Sequence, residues 1–188
     1  MRTFIGIKLD ANAIEQTEKY LKPFKKISTT IRWVALENVH ITLKFIGEFP
    51  DKSFPKLEQT VLEGVRKLNP GALDLTLAGC GKFGPRESLN IFWIGTSANP
   101  TLHALYETID NSVALLGIPK EDRPFKPHIT VGRNKKEYNF KSLYSLIDEK
   151  RDSIICNMHV EHFQIFKSVL KPEGPVYTVL KEIPLVYA

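Results

Sequence analysis

Asn38-Val39-His40-Ile41-Thr42-Leu43-Lys44-Phe45 and, close to half the chain later, Lys126-Pro127-His128-Ile129-Thr130-Val131-Gly132-Arg133 state one phrase twice. Both copies read as β-strands, because aliphatic residues alternate with His and Thr and successive side chains point to opposite faces. His40 and Thr42 then share one face, with Ile41 and Leu43 on the other. His128 and Thr130 pair in the same way against Ile129 and Val131. Each strand buries its aliphatic face and presents an imidazole and a hydroxyl on the other. Side by side, the two strands would line one cleft with two imidazoles and two hydroxyls, a site suited to an anion undergoing acid–base chemistry.

Outward from these strands the pattern alternates between β and α. Residues 3–9 form a first strand that is apolar on both faces. A helix capped by Asp10 or Asn12 is expected through about Tyr20, with Ile14 and Leu21 inward. A short strand at 31–35 carries Trp33, and residues 47–51 read as a loop. Phe54, Leu57, Val61, Val65 and Leu68 recur at helical steps up to the breaker Asn69-Pro70-Gly71. A strand at 73–77 precedes the glycine-rich stretch 79–85, read as a loop, and a return strand at 89–95. Leu102, Leu105, Ile109, Val113 and Leu116 mark the clearest helix, closed by Gly117 and Pro119. After the second His-x-Thr strand come a helix at 140–150, one long strand or two at 154–169, a turn at 171–175 and a final strand at 176–183.

This order predicts an α+β fold of two-lobed, duplicated β-α-β units related by a pseudo-twofold. Antiparallel sheets would surround a central cleft, with helices outside. Residues 1–188 read as a single domain of two intimately packed lobes, since no flexible linker interrupts them. The 188 residues carry 26 basic and 21 acidic side chains, a net charge of +5 that favours an anionic partner without proving one. Cys80 and Cys156 have neither C-x-x-C nor zinc spacing and read as reduced structural thiols. The first ten residues are too charged for a signal peptide, and no stretch approaches the ~18 apolar residues of a membrane span. A cytoplasmic, monomeric protein with no membrane association and no obligatory protein partner is expected.

Imidazole exchanges protons near neutrality because its unperturbed pKa is about 6.5. Two histidines across a substrate can activate a nucleophile and protonate a leaving group in one reaction, as in-line displacement at phosphorus requires. Thr42 and Thr130 would donate hydrogen bonds to the non-bridging oxygens. A strained cyclic diester with one negative charge needs no metal or other cofactor, and no metal-ligand cluster is evident. Lys44 is in phase with His40 and Thr42 and reads either as a phosphate or RNA contact or as a solvated strand end. Arg133 is a second candidate, although on a regular strand it would face away from His128.

These residues resemble the two-histidine phosphoesterase superfamily, specifically the RNA 2′,3′-cyclic phosphodiesterases first described as 2′-5′ RNA ligases. The resemblance runs from residues 2–7 through Trp33-Val34 and residues 37–48, Phe83-Gly84-Pro85 and residues 92–95. It ends with Pro127 to Arg133, Ser168 and residues 174–177. It implies hydrolysis of a terminal 2′,3′-cyclic phosphate on RNA or a nucleotide to a 2′-phosphate, with weak reverse 2′-5′ ligation. By the same resemblance His40 is the acid, His128 is the base, and Thr42 and Thr130 hold the phosphate. The rival readings are a non-catalytic nucleotide- or RNA-binding module on the same fold, and a phosphodiesterase for 2′-5′ oligonucleotides.

Other residues read as structural. His159 and His162 point to opposite strand faces and match no zinc motif. His103 opens a helix. Gly79 to Gly84 lacks the Gly-Lys-Ser/Thr ending of a phosphate loop. Trp33, Phe45, Phe83, Phe92, Trp93 and Phe125 are each expected in the core, though one ring near the cleft should stack on a base.

Overall fold

The structure, a computed structural model, describes residues 1–27, 31–84, 91–134, 141–172 and 174–187. Parts of the expected glycine-rich loop (85), return strand (89–90), helix (140) and turn (173) lie outside the described residues.

The strands are β1 (Arg2–Lys8), β2 (Arg32–Trp33), β3 (His40–Glu48), β4 (Leu73–Phe83), β5 (Ile91–Thr96), β6 (His128–Arg133), β7 (Ile154–Val160), β8 (His162–Lys171) and β9 (Gly174–Pro184). The helices are α1 (Ala11–Ile27), α2 (Phe54–Leu68), α3 (Pro100–Ala114) and α4 (Lys141–Glu149). All described strands join one sheet in the order β7-β4-β5-β6-β3-β1-β8-β9, with β2 paired to β6. Every pairing is antiparallel.

The order is symmetric about the β6/β3 pair. β1 and β5 flank it, β8 and β4 come next, and β9 and β7 stand at the ends. The sheet is not flat. One residue, Glu161, separates β7 from β8, yet six strand spacings, about 28 Å, would lie between them in a flat sheet. The sheet therefore curls to bring those strands together.

The helices cross between the halves. α1 follows β1 but packs against β7 and α4, whereas α3 follows β5 and packs against β3 and α2. Gly64 of α2 permits the second approach, since a Cβ there would strike the Ser112 hydroxyl of α3.

Helix ends follow local chemistry. The Asp10 carboxylate accepts from the Ala13 amide at 2.7 Å, and the Asn99 side chain accepts from the Leu102 amide at 2.8 Å. α1 extends to Ile27, past the expected end near Tyr20, with Ala13, Thr17, Leu21 and Phe24 buried and Pro23 inside. Ile14 sits at the margin of the core rather than within it.

The largest departure is in the glycine-rich stretch, where residues 79–83 continue β4 instead of forming a loop. Gly79, at φ 67°, is a bulge where the ladder to β5 skips a residue. Gly81 is needed because the Trp93 indole occupies the space of a side chain there.

Candidate active site

β3 and β6 are neighbours at the centre of the sheet, with Ile41 opposite Ile129. Antiparallel register about that pair sets His40 across from Thr130 and Thr42 across from His128. Ile41, Leu43, Ile129 and Val131 are buried on the other face. The four polar side chains thus share a surface backed by core.

Both imidazoles are held alike. His40 Nδ1 lies 2.8 Å from the Asn38 carbonyl, and His128 Nδ1 lies 2.7 Å from the Lys126 carbonyl, each two residues upstream. A carbonyl can only accept, so each Nδ1 carries the hydrogen and each Nε2 is left for proton transfer. Burial is the main cause that lowers both histidines below their ordinary pKa of 6.5, and the Arg133 charge lowers them further. His128 also disfavours a charge on His40. The backbone carbonyls act in the opposite sense without prevailing. Both rings are therefore held toward the neutral form.

A skipped residue in each strand sets the side-chain phase beyond the threonines. In β3, Gly6 pairs with Thr42 and Ile5 with Lys44, passing over Leu43. In β6, Trp93 pairs with Thr130 and Phe92 with Gly132, passing over Val131. One extra residue reverses that phase. Lys44 is thereby turned inward, which corrects the expectation that it shares a face with His40. It is 2% exposed, with Nζ donating to Asp110 Oδ1 at 2.6 Å and to the Pro119 carbonyl at 2.7 Å. The residue five places beyond each histidine reaches the cleft instead: Phe45 in β3 and Arg133 in β6. Arg133 therefore does not face away.

His40, Thr42, Thr130 and Arg133 line a cleft of about 750 Å³. His128 is not among the lining residues; the register sets it across from Thr42, which is. Sequence reasoning did not assign Arg2, Phe4, Arg32 or Tyr177 to the site, although all four line the cleft. Phe4 packs against His40 with ring centroids 4.6 Å apart and the planes tilted by 30°, and Tyr177 meets it edge-on at 5.2 Å. The Arg2 guanidinium lies over Phe45 at 4.7 Å. The alternation of residues 2–8 was the available signal, because it places Arg2, Phe4 and Gly6 on one face.

The family model of the 2'-5' RNA ligase superfamily matches residues 8–171. The chain belongs to the 2'-5' RNA ligase superfamily. It is similar to the protein named RNA 2',3'-cyclic phosphodiesterase of Methanocaldococcus jannaschii, 32% identical over 97% of this chain and 99% of the relative. The protein of the same name from Thermotoga maritima is 31% identical over 97% of this chain and 94% of its own. The crystal structure of E. coli LigT complexed with 3'-AMP is 25% identical, with a TM-score of 0.77 over 99% of this chain and 98% of that one.

In this member of the superfamily the remaining candidates divide between outlying strands, the core and the neighbourhood of the cleft. His159 Nδ1 is 2.7 Å from exposed Asp74, which raises its pKa, and His162 is on the next strand. Among the described residues, no group of three His, Cys, Asp or Glu side chains could hold a metal ion. Phe92 is fully buried. Trp33 lines the cleft, Phe125 stacks on Tyr106, and Phe83 meets His128 edge-on at 5.0 Å. Among the described residues, no helix is long and apolar enough to cross a membrane.

Proposed function

We propose that this protein hydrolyses the 2′,3′-cyclic phosphate of an RNA or nucleotide end to a 2′-phosphate, with His40 and His128 as its acid–base pair. The observation that carries the reading is the matched tethering of both rings, each Nδ1 bound to a backbone carbonyl and each Nε2 left for the substrate. The names of the relatives agree with it.

The depressed pKa values suit the chemistry. A neutral His128 accepts a proton from water as the oxygen attacks phosphorus. The substrate's negative charge favours protonation of His40, which then gives its proton to O3′ as the P–O3′ bond breaks. Thr42 and Thr130 donate to the non-bridging oxygens, and Arg133 offsets their charge. Only protons move between protein and substrate, and no partner chain is needed. The expected compartment is the cytoplasm.

A non-catalytic nucleotide-binding module would have no use for two tethered proton-transfer groups. The deciding experiment monitors a short RNA ending in 2′,3′-cyclic phosphate in the presence of EDTA, with wild type, His40→Ala and His128→Ala. Release of a 2′-phosphate end by the wild type alone is expected. Binding without turnover by the wild type would establish the module instead, and turnover confined to 2′-5′ oligonucleotides would move the substrate class.

A further inference from the structure

Asn38 uses three polar groups, and two of them bear on His40. Its backbone amide donates to the Ala35 carbonyl at 2.8 Å and closes the 3₁₀ turn Leu36–Asn38. Its own carbonyl accepts from His40 Nδ1. Its side-chain Nδ2 donates to the Pro175 carbonyl of β9 at 3.1 Å. Among the described strands, β9 ends the sheet and pairs with β8 alone. The Asn38 amide thus supplies a hold on β9 that no neighbouring strand gives. Arg32 Nη2 adds a longer, exposed tie to the Pro172 carbonyl at 3.4 Å.

Two residues past Pro175, the chain returns to the same histidine. Tyr177 meets His40 edge-on and also meets Phe4, with ring centroids 5.0 Å apart, so the three rings form a triangle. Phe166 stacks on Phe4 from outside it at 4.7 Å. Asn38, Pro175, Tyr177 and His40 therefore close a loop of contacts that begins and ends on the imidazole. The second copy of the motif lacks this loop. Lys126 stands where Asn38 does, two residues before the histidine, and its carbonyl makes the same tether. Its exposed side chain lines a different cavity. The rings beside His128, Phe83 and Trp93, come from β4 and β5.

Building on the proposed activity, we infer that Asn38 is a positioning residue for His40. Its carbonyl fixes Nδ1, and its side-chain amide holds β9 so that Tyr177 keeps Nε2 aimed at O3′. A hydrogen bond at Nδ1 alone leaves an imidazole free to swing about that bond, and the packed rings stop the swing. The two proton transfers differ in what they demand. The acid must deliver its proton to one oxygen while the P–O3′ bond breaks, so its direction is critical. The base collects a proton from water, which can reorient to meet it. The anchored ring is the one whose aim matters more. The charged and titratable groups around His40 are Arg133 and His128 of β6, Tyr177 of β9 and exposed Lys8, its ladder partner in β1. β1 and β8 otherwise present Phe4 and Phe166.

The test compares wild type, Asn38→Ala, Tyr177→Leu and the double variant on two substrates. One is an RNA ending in 2′,3′-cyclic phosphate, and the other carries sulfur in place of O3′. A thiolate leaves without needing a proton, so only the oxygen substrate depends on the aim of His40. On that substrate Asn38→Ala should lose about tenfold in kcat with KM within about twofold. The double variant should lose no more than Tyr177→Leu, because Asn38 acts through that ring. On the sulfur substrate the Asn38→Ala loss should vanish. Titration by NMR should show His40 rising toward its ordinary value in Asn38→Ala as solvent enters, with His128 unmoved. Asn38→Ser, too short to reach Pro175, provides the same comparison if Asn38→Ala fails to fold. Equal losses on both substrates, additive losses, or a shift of both histidines overturn the inference. Wild-type kcat in Asn38→Ala overturns it while leaving the activity intact. Absence of turnover by the wild type removes the activity reading and the inference together.

Discussion

Lys44 Nζ and Asp110 Oδ1 lie 2.6 Å apart, with only 1% and 10% of their side chains exposed. The pair ties the strand that carries His40 and Thr42 to α3. The same ammonium donates to the Pro119 carbonyl, in the segment that leads toward His128.

Lys44→Met strands a buried carboxylate and should lower unfolding stability by about 3–5 kcal/mol. Adding Asp110→Leu should restore most of the loss, because two buried charges are then replaced by apolar volume. Urea unfolding of both variants checks this. A single variant within about 1 kcal/mol of wild type would show that the pair behaves as a surface ion pair.

Arg133→Ala removes a charge that opposes protonation of both histidines. Titrated by NMR, His40 and His128 should both move upward in pKa, and Arg133→Lys should hold them near wild type. If neither ring moves, the guanidinium is not directed at the pair.

Thr42→Ala and Thr130→Ala each delete a proposed donor to the developing charge on phosphate. The expected loss is about 3–4 kcal/mol at the transition state, or about 100- to 1,000-fold in kcat, with substantial rescue by Ser. Steady-state rates on the cyclic-phosphate RNA provide the measurement, and a loss below about tenfold would place the hydroxyls elsewhere.

Stability should fall with acid through the imidazoles. The folded pKa values of His40 and His128 lie below the unfolded value of 6.5, so the unfolded chain binds protons first. Stability is fully present above about pH 6.5 and is lost as pH falls through the folded values. His159 is shifted upward by Asp74, so its contribution has the opposite sign and is lost as pH rises. The test compares wild type with His40→Gln/His128→Gln by chemical denaturation across this window, where the double variant should have the flatter profile. Parallel profiles would mean that the two rings are not desolvated in the folded protein.

The sequence alone determined the faces of the two His-x-Thr strands, the positions of α2 and α3, and the near-symmetric order of elements. These are local periodicities, and burial of one face enforces each of them. It could not determine which residues join the motif from farther along the same strands. Leu43 and Val131 are passed over only because β1 and β5 lie beside them in a particular register. That skip sends Lys44 to Asp110 and brings Phe45 and Arg133 to the cleft. Gly79 and Gly81 suggested a loop because their actual causes, a bulge in the ladder and the indole of Trp93, lie on other parts of the chain. Tyr177 and Arg2 joined His40 by the same kind of long-range pairing. Alternation is a property of one strand, whereas its phase after a bulge belongs to two, and only the assembled sheet decides it.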